Sequence, residues 1–119
     1  MPSTPIRDAG SVYDMLHYAR QVVRFTSGQT LDEIASNEKT LSATLYAITI
    51  MGEAARRVSL EFREKYPQIP WQQITGIRSV VVHDYQRVDK NEIWNVCTRD
   101  VPALIPQLEE ILKHYPIQP

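Results

Sequence analysis

The stretch from Ile77 to Tyr85, IRSVVVHDY, places a guanidinium, an imidazole and a phenol around three consecutive valines. A histidine that titrates near neutrality can take the proton from a ribose 2′-hydroxyl. An arginine fork can neutralise the charge that builds on a phosphate, and a tyrosine hydroxyl can position it. Arg78, His83 and Tyr85 therefore suit phosphodiester cleavage in RNA, a chemistry that needs no metal ion. Spacing alone does not separate this from an ordinary buried segment with a solvated side, because an Arg and a His five residues apart are a common pair.

The elements around these residues decide what they can reach. WQQITGIRSVVVHDY, residues 71–85, has Ile74, Ile77 and Val81 at helical spacing. The three valines alone favour a strand, but a lone strand in an otherwise helical chain has no backbone partner, so a helix is predicted. On an ideal helix Tyr85 lies within about 20° of the face of Arg78, whereas His83 lies about 140° away. One straight helix cannot aim all three at one phosphate. Either it ends or distorts near His83, or a second copy of the chain completes the site. Ser79, one turn before His83, can hydrogen-bond its ring.

The rest of the chain also reads as helices. Val12, Leu16, Ala19, Val23 and Thr26 trace an amphipathic helix with Ser11 as its expected N-cap and Gly28 as its stop. Thr30 and Glu33 have capping-box spacing, and Asn37 can cap the next helix. That helix is expected to be the longest, unbroken over residues 38–66. Leu41, Leu45, Ile48, Gly52, Ala55, Ser59 and Phe62 form one stripe along it, and Ala47, Met51, Ala54 and Val58 a second. Two buried faces make it central to the domain or part of a subunit contact. Gly52 implies another backbone close by. Glu53 is the odd residue in this apolar run; either Arg57, one turn on, is its partner, or it faces a polar site.

YPQIP, residues 66–70, ends that helix. Asp89 and Glu92 have capping-box spacing before a last stripe of Ile93, Cys97, Val101, Leu104, Leu108 and Ile111. Pro102 and Pro106 should kink this helix or break it in two. The fold class is all-α, an up-down bundle of four to five helices in a single domain over 1–119.

A net charge of -1 and a pI near 6.3 argue against a broad basic face that coats nucleic acid, while leaving room for a small cleft that binds a few phosphates. Arg56, Arg57, Arg63 and Lys65 can supply local positive potential or simply be solvated. No apolar run of membrane-spanning length and no basic-then-apolar leader is present, so a cytoplasmic protein is expected, with no membrane partner. Cys97 is the only cysteine, which excludes an internal disulfide and a cysteine zinc site, and reads as a small buried hydrophobe. His17 falls on a polar helix side and His114 near a helix C-terminus. No residue set resembles a metal site, and no cofactor is expected.

The sequence resembles the HepT-like toxins of the HEPN superfamily, whose Arg-x4-His-x-Tyr motif is matched by Arg78, His83 and Tyr85. MGEAARRVS at 51–59, YPQIPW at 66–71, ITGIRSVVVHDY at 74–85 and VDKNEIW at 88–94 look like successive family blocks in the expected order. The resemblance implies the toxin of a type II toxin–antitoxin system, a helical homodimer in which two Arg/His motifs line a shared cleft and cut RNA without a metal ion. It implies an MntA-like minimal nucleotidyltransferase antitoxin as partner, which transfers AMP from ATP to Tyr85; a bulky anion there would block and repel RNA. The superfamily often has Asn or Asp after the motif arginine, where this chain has Ser79, a donor of shorter reach. Glu53, in the GEA block, is a further candidate cleft residue. Two other readings compete: a non-catalytic dimer that binds nucleotide or RNA or docks a nucleotidyltransferase, and a structural dimerisation domain in which Arg78 and His83 only satisfy helix ends.

Overall fold

The computed structural model describes residues 4–82 and 90–115, and every regular element among them is helical. The elements are α1 (Thr4–Thr26), α2 (Leu31–Ser36), α3 (Glu38–Arg56), α4 (Leu60–Lys65), α5 (Trp71–Val82), α6 (Lys90–Asn95) and α7 (Val101–Leu112). A π-helical turn, Val96–Asp100, joins the last two. α3 packs along α1 on one side and α5 on the other, and α7 lies against α1. The chain is an all-α bundle with α3 at its centre.

The expected double stripe on α3 explains that position. Leu45, Ile48, Gly52 and Ala55 are buried on one face, and Ala47, Met51 and Ala54 on the other. Local capping sets the boundaries of the nearby elements. Thr30 and Glu33 form both bonds of the capping box, at 2.9 and 3.1 Å. The Asn37 side chain accepts from the Thr40 N–H at 3.1 Å, and Gly28 leaves the helical path at φ 76° after α1. Each of these expectations is met.

Two expectations are corrected, and a third is met in part. Ser11 does not cap α1, which begins seven residues earlier; Pro5 is tolerated in a first helical turn, and Ala9, fully buried, extends the apolar stripe in the N-terminal direction. Along the same helix Met15 and Val22 are fully buried, while Val23 is only partly so. α1, with 23 residues, is therefore longer than α3, with 19.

The second correction is the continuous helix over 38–66, which is interrupted after Arg56. Ser59 turns extended (φ −66°, ψ 154°) and caps α4 by accepting from the Phe62 N–H at 3.2 Å. Asp8, only 4% exposed, fixes this joint from α1: its carboxylate accepts the Ser59 N–H at 2.8 Å and the Ser59 hydroxyl at 2.7 Å. Arg63 folds back to donate to the carbonyls of Val58 and Ala55, both at 3.1 Å, and of Arg56 at 3.3 Å, so its charge closes the end of α3. Bonds to a charged acceptor stabilise by about 1.5–3 kcal/mol each. Asp8→Ala is expected to cost about 2–4 kcal/mol in urea unfolding. Asp8→Ala combined with Ser59→Ala should cost about 1 kcal/mol or more less than the sum of the two single changes; strict additivity would show that the joint is not a unit.

The expectation for the prolines is met in part: the α-helical run is divided directly before Pro102, while Pro106 leaves α7 whole. Pro102 lies just after the π turn, in which the Val101 N–H reaches back five residues to the Val96 carbonyl. In a plain α-helix the Pro102 ring would collide with the carbonyl four residues back, and the wider turn moves that carbonyl aside. Pro106 sits inside α7 without ending it, on the exposed side, where the carbonyl it leaves unbonded can meet water. The apolar stripe predicted here is buried from Ile93 to Ile111.

Candidate functional site

α5 begins after Pro70, where Trp71 tucks its indole N–H onto the Tyr66 carbonyl at 2.9 Å. Ile74 is buried and Ile77 partly buried, so α5 is held against α3 by the apolar spacing expected of a helix. Arg78 and Ser79 are the eighth and ninth of its twelve residues, and the helical path runs on through Val82. The helix preferred from spacing is found, and the strand is not. His83 and Tyr85 lie outside the described residues, as does Asp89, the expected cap of α6.

Glu53 lies on α3 and is half-buried. The helix that carries it packs directly against the helix that carries Arg78. The guanidinium of Arg57, one turn beyond Glu53, reaches Asp14 of α1 at 3.4 Å. Both partners there are about half exposed, so this pair contributes at most about 1 kcal/mol.

A cleft of about 390 Å³ runs beside α5, between it and the α6–π–α7 segment. Met51, Ile74 and Leu104 line it with apolar surface, and Gln73, Asn95 and Arg99 bring polar groups. Arg99 is exposed and only loosely matched by the neighbouring Asp100, at 3.5 Å. The π turn belongs to the wall of this cleft, and such turns recur at functional sites. An apolar wall with amide and guanidinium groups can accept a flat polar ring while hydrogen-bonding its edge. Sequence reasoning missed Gln73, Asn95 and Arg99. The available signal was the one-turn spacing of Gln73 to Ile77 and of Asn95 to Arg99, which puts each pair on one helix face.

A smaller cavity of about 70 Å³ sits between the end of α1, α2, α3 and α6. The Thr26 and Thr44 hydroxyls on its wall are spent on the carbonyls of Val22 at 2.8 Å and Thr40 at 2.7 Å. Burial pushes the Cys97 thiol there up to about 12, so it stays protonated at neutral pH and is no nucleophile. Cys97 is the buried hydrophobe expected. Among the described residues no group of three or more His, Cys, Asp or Glu side chains could hold a metal ion, and no helix is long and apolar enough to cross a membrane.

Comparison with known proteins gives a consistent picture. A family model described as ribonuclease HepT-like matches residues 15–111. The candidate RNase MJ1380 of Methanocaldococcus jannaschii is 34% identical over 98 residues, covering 82% of this chain and 90% of its own. The candidate RNase MJ0127 of the same organism is 32% identical over 113 residues, 95% of this chain and 92% of its own. A candidate ribonuclease HepT of Thermococcus cleftensis is 27% identical over 100 residues, 84% and 91% of the two chains. No solved structure gives a significant match.

Proposed function

Because the chain belongs to the ribonuclease HepT-like family of the HEPN superfamily, we propose that it is a metal-independent endoribonuclease and the toxin of a toxin–antitoxin pair. The observation that carries this reading is the family match over residues 15–111, which includes all of Arg78, His83 and Tyr85. The mechanism follows from their chemistry. His83 removes the proton from a ribose 2′-hydroxyl, whose oxygen attacks the adjacent phosphorus. The bond to the 5′-oxygen breaks, and that oxygen leaves with a proton as a 5′-hydroxyl. Arg78 neutralises the charge on the equatorial oxygens, Tyr85 positions the phosphate, and Ser79 and Glu53 support the histidine and the cleft.

The helical path of α5 supports a shared site. If it continues ideally, Arg78 and His83 diverge by about 140°, and the Arg78 of one copy would then meet the His83 of another across a homodimer cleft; an end or distortion near His83 would instead let one copy hold both. Control by an MntA-like nucleotidyltransferase fits the same chemistry. AMP transferred from ATP to the Tyr85 oxygen, with pyrophosphate leaving, would put an anion where the RNA phosphate binds.

The test is cleavage of end-labelled RNA in excess EDTA, with analysis of the product ends. Cutting that leaves 2′,3′-cyclic phosphate is the expected result. Absence of cutting by a protein whose Tyr85 is unmodified by mass spectrometry would favour the non-catalytic nucleotide- or RNA-binding dimer, whose support is the mixed polar and apolar cleft beside α5.

A further inference from the structure

The seam between α1 and α3 exposes a strip that the proposed reaction does not use. Tyr46 projects from α3 with 61% of its surface exposed. Tyr18 of α1 meets it edge-on, with ring centroids 6.4 Å apart, and His17 meets Tyr18 edge-on at 4.9 Å. Edge contacts hold a ring in place and leave a face open. Further along the seam, Arg24, Phe25, Lys39 and Ala43 line a shallow hollow of about 370 Å³. Lys39 precedes Tyr46 by seven residues and Phe25 follows Tyr18 by seven, so ring pair and hollow lie on one line about 10 Å long.

The charges along this seam are unevenly matched. Arg57 is paired with Asp14, and Arg20 with Glu109 at 2.7 Å. Arg24 and Lys39 are exposed and make no ion pair among the described residues. Cations that lack an acid partner, beside an aromatic ring with an open face, are the two parts of a platform for single-stranded nucleic acid: the cations follow phosphates, and the ring takes a base. An acidic overall balance is compatible with so local a strip.

Resting on the ribonuclease reading, we propose that the α1–α3 seam binds a single-stranded segment of the RNA substrate, with Tyr46 stacked on a base and Arg24 and Lys39 at phosphates. The experiment titrates a fluorescent single-stranded oligoribonucleotide with full-length protein carrying His83→Ala, which keeps the RNA intact, over a series of salt concentrations. Tyr46→Ala is expected to weaken binding about tenfold, and Tyr46→Phe to restore it, because stacking needs the ring and not the hydroxyl. Arg24→Gln with Lys39→Gln should flatten the slope of log affinity against log salt by about 1.4, or about 0.7 for each phosphate no longer neutralised.

Unchanged affinity and slope, in a protein whose unsubstituted form cuts RNA, would overturn the strip and leave the ribonuclease reading standing. Equal losses in Tyr46→Ala and Tyr46→Phe would also overturn the stacking role. If the substitutions had their expected effects but the unsubstituted, unmodified protein never cut RNA, the strip would stand and the ribonuclease reading would fall.

Discussion

His83→Ala is expected to slow RNA cleavage by a factor of about 10²–10⁴, the usual contribution of a positioned general base, and to leave helix content unchanged. Far-ultraviolet circular dichroism and cleavage of end-labelled RNA, measured on one preparation, separate these two effects. Cleavage within threefold of the unsubstituted rate would remove His83 from the mechanism. The geometry of α5 makes a sharper version possible. If each site takes Arg78 from one copy and His83 from the other, Arg78→Ala protein and His83→Ala protein should each be inactive alone. Mixed and allowed to exchange subunits, they should regain about a quarter of the unsubstituted activity, because half of the dimers are mixed and each mixed dimer holds one complete site out of two. A site contained within one copy would regain nothing, since neither chain then carries both residues.

The second large effect concerns the central helix. Ile48 is fully buried on α3, which packs against α1 and α5. Ile48→Ala is expected to destabilise the fold by about 2–5 kcal/mol through lost apolar burial and the cavity left behind. For a domain of this size that lowers the thermal midpoint by roughly 10 °C or more. At low temperature, where the variant remains folded, its cleavage rate should stay close to that of the unsubstituted protein, because Ile48 is a buried aliphatic side chain with no group to bind a phosphate or move a proton. A midpoint shift below about 3 °C would mean that the core around α3 closes over the loss.

What the sequence made legible was mostly local. Thr30 with Glu33, Asn37 with Thr40, and Gly28 act within a turn of themselves, so residue type and spacing were enough to place them. The stripes of α3 were legible because a helix buried on two sides leaves a repeating apolar record. The break at 57–59 was not, because no glycine or proline marks it. Its cause is Asp8, 51 positions from Ser59, together with an arginine that turns back onto the end of its preceding helix. Ser11 failed as a cap for a different reason, and a local one: Pro5 fits a first helical turn and the buried Ala9 carries the apolar stripe back past Ser11. For the candidate site, residue types and the helical spacing around Arg78 were readable. The cleft beside α5 was not, because Gln73 and Arg99 come together only when α5 is laid against the last helical segment.

The π turn has a consequence for changes in chain length. A turn whose hydrogen bond spans five residues is an α-helix with one residue looped in, and the helices on either side keep their rotational phase. Val96–Asp100 is thus a place where the chain can lose one residue and still present Ile93 before it and Leu104 and Leu108 after it to the core, provided Pro102 gives way to a residue that fits a plain α-helix. The same deletion in α3 would rotate everything beyond it by about 100° and carry one of its two stripes out of the interior. Within the helices, a one-residue deletion is therefore better tolerated in the wall of the cleft, where Arg99 and Asp100 lie, than at the centre of the bundle. The fold thus leaves one residue of slack in the wall of its cleft and none in its central helix.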